Sequence, residues 1–369
     1  MDRIVVMGAG HPLAWRVAAH FLGRGHSVLA FAEAPDERLA SLPWEVRSLS
    51  DDASSLVSAL EGARAVFHFA SWDNPDTTLA RVDGYVAALE QSRGRPTVLI
   101  GVGSLDVFGE TTDVPVDETA GGTTAGPAAS YERALRSLSH GRGRVVLARL
   151  APCLRWTGGV ASCAWIHEDD AMRLLVHAAE TPSLEGALHV VAPELRDGRG
   201  VRAVPAKALA TGFRFRYPTH AAAAAKVAET RVNWDNLDVV ERVYWTRETA
   251  ERCRFFPGST GRYRLSIKGL PVAWETRRER ISDAIDGEEL ARGAFHTFQR
   301  RQRVTPAGDG TLVEDAVAFR LRGGALLGRW VNQTVRERLF AALDSAESLG
   351  DPASFESQLQ ANLENSAPA

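Results

Sequence analysis

Apolar residues follow two different rhythms along this chain. Over roughly the first 220 residues they come as short continuous runs: Ile4–Met7, Ser27–Phe31, Ala65–Phe69, Thr97–Val102 and Val145–Leu150. Each run is rich in β-formers and bounded by turn residues, which predicts strands buried on both faces. Ala14–Leu22, Ala53–Leu60 and Leu79–Gln91 lie between them and predict helices. Strand–helix alternation of this kind predicts an α/β domain with a doubly wound, mostly parallel sheet.

Around residue 220 the rhythm changes. The stretch YPTHAAAAAKVAE (217–229) has helix propensity but little to bury, and predicts a terminal helix running into a linker. After it the period becomes two. RYRLSIK (262–268) alternates without a break, and LVEDAVAFRL (312–321) alternates through Val313, Val317, Phe319 and Leu321, with Asp315 the exception. Such strands are expected to be antiparallel and half-buried, with one wet face. AGDGT (307–311) predicts a hairpin turn in which Gly308 and Gly310 take positive φ. A last helix, Leu327–Leu343, carries Leu327, Trp330, Val331, Val335, Leu339 and Leu343 on one stripe. The organisation expected is a parallel α/β domain over 1–225, an α+β domain over 226–350 and a polar tail over 351–369.

Composition narrows the function classes. The chain has 369 residues, 45% hydrophobic and 24% charged, with a net charge of −3. That balance lacks the basic excess of a nucleic-acid binder. No apolar run reaches the ~18 residues of a membrane span, and no signal peptide precedes the first strand, so a cytoplasmic protein is expected. Cys153, Cys163 and Cys253 are too few and too scattered for a disulfide framework, and no CxxC pair suggests zinc. HEDD (167–170) lacks HExxH spacing and reads as a helix start, so no metal is expected. Only three lysines occur, Lys207, Lys226 and Lys268, so the first 206 residues contain none.

MGAGHPLA (7–14) follows the first strand and opens the first helix. Strand, glycine turn and helix N-terminus form the phosphate-binding device of Rossmann-like folds, and Gly8 and Gly10 supply part of it. Further segments occur in order: AVFHFAS (65–71), VGSLDVFGE (102–110), PAASYERAL (127–135), AWIHEDDAMRLLVHAAE (164–180) and GFRFRYPT (212–219). Together, residues 1–220 resemble an extended short-chain dehydrogenase/reductase of the nucleotide-sugar epimerase/dehydratase superfamily.

The resemblance implies Ser104 and Tyr131 as the catalytic pair, and Gly8, Gly10, His11, Leu13 and Ala70 beside a nicotinamide cofactor. Glu33, near the end of the second strand, suits ribose hydroxyls and would repel a 2′-phosphate, favouring NAD over NADP; a solvated loop carboxylate is the competing reading. Three departures weaken the implication. Leu135 stands where the family has the lysine that lowers the tyrosine pKa, His11 replaces the middle glycine (Ala14 at the third is a mild change), and only about 70 residues, 151–220, remain for the family's substrate-binding lobe. Without that lysine Tyr131 is expected to stay a neutral phenol. Family members often pair through the tyrosine-bearing helix, which leaves a homodimer open.

LPVAWETRRERISD (270–283), AFHTFQRRQRVTPAGDGTLVEDAVAFRL (294–321) and GGALLGRWVNQTVRERLFAALDS (323–345) resemble the later strands and long helix of the helix-grip fold, shared by polyketide cyclases and START domains. Such folds hold an apolar cavity, and Trp274, His296, Phe298, Asp315 and Trp330 are its candidate lining, with plain core packing the competing reading for each. Arg300, Arg301 and Arg303 read as a solvated strand face. The leading expectation is a small-molecule tailoring enzyme, with an atypical NAD-dependent epimerase or reductase domain whose pocket the helix-grip domain completes. The alternatives are a non-redox cyclase, dehydratase or isomerase on a degenerate scaffold, and a non-catalytic ligand-binding protein.

Overall fold

The computed structural model describes residues 2–32, 44–48, 53–72, 75–92, 94, 96–109, 112–122, 125–140, 143–154, 162–230, 237–267, 270–283, 285–321 and 329–344. The chain divides into two compact units between Val227 and Ala228, with the hairpin tip Pro306–Asp309 grouped with the first.

The first unit is built on seven strands: β1 (Arg3–Met7), β2 (Ser27–Ala32), β3 (Glu45–Ser48), β4 (Ala63–Phe69), β5 (Val98–Ser104), β6 (Arg144–Leu150) and β9 (Gly186–Val190). They pair in the order β3-β2-β1-β4-β5-β6-β9, every pair parallel. A short parallel pair, β7 (Cys153–Leu154) and β8 (Ile166–His167), lies outside this sheet. The continuous apolar runs have the reason expected of them: Ile4, Val5, Val6, Val66, Phe67 and Ile100 are all buried between helical layers. The helices are α1 (Ala14–Gly23), α2 (Ala53–Leu60), α3 (Pro75–Gln91), α4 (Pro127–Arg136), α5 (Glu168–Glu180), α6 (Ala206–Ala210) and α7 (His220–Thr230). From β1 the chain winds outward to β2 and β3, then returns to the other side as β4. Strand order therefore reverses at β1/β4, where ligands of open α/β sheets bind.

One close approach shapes the site. Helix α4 lies on β5 at two glycines. A Cβ on Gly101 would fall 2.2 Å from Leu135 Cδ1, and one on Gly103 would lie 3.4 Å from the Tyr131 ring. The glycines let Tyr131 and Leu135 sink onto the sheet, where both are fully buried.

The second unit is a curled antiparallel sheet of β10 (Asp238–Thr246), β11 (Thr260–Ile267), β12 (Leu270–Arg280), β13 (Ile285–Gly293), β14 (Phe295–Ala307) and β15 (Gly310–Leu321), ordered β10-β15-β14-β13-β12-β11. Helix α8 (Arg329–Asp344) supplies Val335, Leu339, Ala342 and Leu343 to a core with Trp274, Phe295, Phe298, Val317 and Phe319. Beside this apolar half runs a row of alternating charge. Register sets Arg278 opposite Glu288, Glu288 opposite Arg300, and Asp315 opposite Arg242. Arg300 grips Asp315 through two bonds of 3.0 and 3.1 Å, and Arg242 reaches both Asp315 (3.0 Å) and Asp344 of α8 (2.7 Å). Burial pushes the Asp315 carboxyl up, but the two guanidiniums more than undo this and hold it below its ordinary value.

Three expectations for this unit are corrected. Arg300, Arg301 and Arg303 are not a solvated face; they are 5%, 3% and 8% exposed. The carboxylate neighbours of Arg300 and Arg301 come from other strands, which a local reading cannot see; Arg301, for instance, bonds Glu289 at 3.1 Å. The wet face holds for edge strand β11, where Arg262 and Ser266 are exposed, but fails for β15, buried from Thr311 to Phe319. The supposedly wet positions of β15 include Leu312, Ala316 and Ala318, which have no claim on water. In the hairpin only Gly308 takes positive φ, at 67°. Gly310 is required for space instead, since a Cβ there would meet the Thr246 carbonyl oxygen at 2.2 Å.

Asp315→Asn removes the counter-charge shared by the buried Arg300 and the partly buried Arg242, and is expected to cost about 3–5 kcal/mol in urea unfolding. A loss below about 1 kcal/mol would show that the charged row contributes little to holding the sheet together.

Candidate functional site

A cavity of about 410 Å³ opens at the C-terminal ends of β1, β4, β5 and β6. His11 and Leu13 from the β1–α1 turn line it, with Ala70 and Trp72 after β4, and Ser104 and Asp106 at the end of β5. Four of the residues implied by the family resemblance (His11, Leu13, Ala70 and Ser104) thus share one wall. Gly8 stands behind it at φ 74°, so close to β4 that a Cβ would lie 2.4 Å from the Phe69 carbonyl oxygen. Gly10 faces open space, and Glu33 lies outside the described residues.

The turn spends its own hydrogen-bond donors. The Ala9 N–H goes to the Phe31 carbonyl (3.0 Å), that of His11 to Gly8 (3.0 Å) and that of Ala14 to His11 (2.9 Å). Pro12 has no N–H. The Leu13 N–H donates to Nδ1 of His11 at 3.1 Å, and the imidazole is held there by stacking on Phe69, with ring centroids 5.0 Å apart. A pyrophosphate needs these amides aimed outward. The shape of the turn fits a dinucleotide, but its hydrogen bonds are largely turned inward.

Ser104 and Tyr131 occupy different environments. The Ser104 hydroxyl donates to Asp106 Oδ2 at 2.7 Å and accepts the Asp106 N–H at 3.3 Å, capping the short 3-10 helix Leu105–Phe108 at the cavity edge. Tyr131 is not on the cavity wall. Its hydroxyl donates to the His68 carbonyl (3.0 Å) and lies 2.8 Å from His68 Nδ1. The phenol has a single proton, so Nδ1 must carry its own and donate to the phenol oxygen. Burial, and then the Glu132 charge, push the Tyr131 phenol well above its ordinary value; burial pushes the His68 imidazole down to about 4. Both groups are neutral at pH 7. Trp72 lines the cavity and packs edge-on against Tyr131, with centroids 5.8 Å apart. Leu135, at the lysine position, is core. The expectation that Tyr131 stays a neutral phenol agrees with this geometry, which gives the ring a packing role.

The second-unit candidates occupy different surroundings. Trp274 and Phe298 pack on each other in the core (5.6 Å), His296 is exposed and bonds Thr297, and Asp315 sits in the charged row. The side chain of Trp330 lies outside the described residues. The HEDD segment starts α5, with His167 Nδ1 accepting the Asp169 N–H at 3.2 Å, while Glu168 and Asp169 pair with Arg16. His68, Trp72, Asp106 and the cavity-lining Cys153 escaped the sequence reading. Of these, only His68 left a signal, as a lone polar residue inside an apolar strand.

A family described as a domain of unknown function (DUF1731) matches residues 199–227. Solved structures that share the fold include the following three. A short-chain dehydrogenase/reductase superfamily protein from Agrobacterium tumefaciens, solved with bound NAD, is 16% identical with a TM-score of 0.52, over 62% of this chain and 97% of that one. A nucleoside-diphosphate sugar epimerase from Corynebacterium glutamicum is 17% identical with a TM-score of 0.51, over 61% of this chain and 57% of that one. A human epimerase family protein, solved with NADPH, is 17% identical with a TM-score of 0.50, over 62% of this chain and 100% of that one. No curated protein matches the sequence. The parallel sheet with its flanking helices is therefore the Rossmann-like fold of epimerases and short-chain reductases. No described helix is long and apolar enough to cross a membrane.

Two outcomes follow from the Tyr131–His68 pair. Tyr131→Phe leaves two buried His68 groups unpaired, and is expected to lower stability by about 1–3 kcal/mol. Since the folded pKa of His68 (about 4) lies below its ordinary 6.5, the unfolded chain binds the extra proton between them. Stability should then fall as pH drops from 6.5 towards 4, by about 3 kcal/mol from this group, with no contribution above 6.5. Urea midpoints against pH in wild type and His68→Gln test this; an identical acid limb in both would refute it.

Proposed function

We propose that this chain is an enzyme of the epimerase/reductase type acting on a small molecule, with its reaction seated in the 410 Å³ cavity of the first unit. The observation that carries the reading is that one cavity, at the point where strand order reverses, gathers the β1–α1 turn, Ala70 and the Ser104–Asp106 pair. The fold neighbours solved with NAD or NADPH support a nicotinamide dinucleotide as cofactor, which when bound would supply hydride transfer. Gly10, Leu13 and Ala70 would flank it, and Glu33 favours the form without a 2′-phosphate. Ser104, with Asp106 accepting its proton, is placed to hold a substrate oxygen. Tyr131 is not the proton source, and a role for the curled sheet as a helix-grip domain stays part of the proposal.

A second reading is a cofactor-free cyclisation, dehydration or isomerisation on the same fold. The inward-turned donors of the turn favour it, as does a tyrosine removed from the cavity.

Calorimetric titration with NAD⁺, NADH, NADP⁺ and NADPH separates the two. Saturable binding of the non-phosphorylated pair is expected. His11→Gly should tighten it about tenfold, because it frees the Leu13 N–H for a phosphate oxygen. Silence from all four nucleotides at millimolar concentration, in wild type and His11→Gly alike, would remove the cofactor from the proposal and leave the second reading.

A further inference from the structure

The cavity of about 410 Å³ has an uneven wall. Trp72, Leu105, Leu150, Pro152 and Val201 give it a broad apolar surface. The Trp72 ring packs edge-on against the buried Tyr131, and its Cζ2 atom lies 3.8 Å from where a Cβ on Gly103 would stand. An aromatic side chain wedged between a core ring and the backbone of β5 is a preorganised surface for a ligand ring.

Opposed to this in character is one polar corner at the end of β5. The Ser104 hydroxyl spends its single proton on Asp106 Oδ2 at 2.7 Å, and a lone pair on the Asp106 N–H at 3.3 Å. A carboxylate has no proton to give. The pair therefore offers a ligand acceptors alone, from the exposed Asp106 carboxylate and the second lone pair of Ser104. A ligand hydroxyl can donate to them, whereas a ketone oxygen would meet lone pairs with lone pairs.

Charge narrows the ligand further. Asp106 is the one carboxylate among the described residues of the wall, and no lysine or arginine stands among them. His11, whose Nδ1 accepts the Leu13 N–H, is not an imidazolium in this arrangement. A sugar diphosphate or a carboxylic acid would bring its charge beside Asp106 without a counter-charge from these residues. An ammonium gains little from an exposed carboxylate and would leave water for an apolar wall.

Resting on the reading of this cavity as the seat of the reaction, we propose that its substrate is an uncharged, largely apolar alcohol. Its ring system lies along Trp72 and its hydroxyl donates to Asp106, which sets the choice between alcohol, ketone and acid. The cavity is at the lower end of small-molecule sites in size, which suits a compact ring system.

The test titrates the full chain, without added nucleotide, with one ring frame in four forms: indanol, indanone, indane carboxylate and aminoindane. Calorimetry is expected to show saturable binding of indanol, at least about tenfold tighter than that of the other three. Asp106→Asn adds an N–H donor in the same shape, and should bring indanol and indanone within about twofold of each other. Trp72→Ala should weaken both by a similar factor, about tenfold. Melting curves check that each variant is folded, and the wild-type series decides by itself if one is not. Indanone or the carboxylate binding as tightly as indanol would overturn the proposal. So would tighter binding of aminoindane, displacement of indanol by uridine diphosphate glucose, or an unchanged preference in Asp106→Asn. If no member of the series saturates, the alcohol falls, while the reaction type is still judged by the nucleotide titration. Alcohol selectivity alongside nucleotide silence would support the alcohol and remove the cofactor.

Discussion

The close contact between α4 and the glycines of β5 governs much of the first unit. Without side chains at Gly101 and Gly103, the helix settles deep enough for Leu135 to enter the core and for the Tyr131 hydroxyl to reach His68 on the neighbouring strand. Once there, the phenol satisfies both the carbonyl and the ring of His68, and the polar pair can stay in an apolar interior. The cost of that arrangement is chemical. On the proposed reading, a tyrosine fixed by two buried bonds is not the proton donor at the cavity. The helix position is that of a Rossmann-like fold, while the bonding is that of a core.

The β1–α1 turn repeats this division. Gly8 remains because the backbone of β4 passes too near for any Cβ, so the requirement is one of folding. His11, by contrast, sits where bulk is tolerated, stacks on Phe69 and caps the helix start from within. The glycine is needed by the architecture, and the side chain at position 11 packs and bonds within the turn. Fold and chemistry are separable at single-residue resolution.

Legibility in the sequence followed the same line. Five strands of the parallel sheet could be read because each is a continuous apolar run, whereas β3 (EVRS) and β9 (GALHV) carry no such run and could not be. The wall formed by His11, Leu13, Ala70 and Ser104 could be read because motif spacing places strand ends together. Tyr131 could not be placed from its motif, since its partner is 63 residues away on β4. Arg300 and Arg301 of β14 escape a local reading for a similar reason: their carboxylates lie on β13 and β15, and periodicity carries no information about a side chain's cross-strand neighbours.

Those cross-strand neighbours give the second sheet a property beyond cohesion. Arg278, Glu288, Arg300, Asp315 and Arg242 follow one another across five strands, each charge facing its opposite. Sliding any one strand by a single residue would turn its charge to the other face and strand two neighbours unsatisfied in the interior. The row therefore works like the teeth of a key: only one alignment of five strands lets it turn, and every near miss is penalised at several places together. In a sheet coded in this way, the register of each strand is checked by the charges of its neighbours as well as by its own.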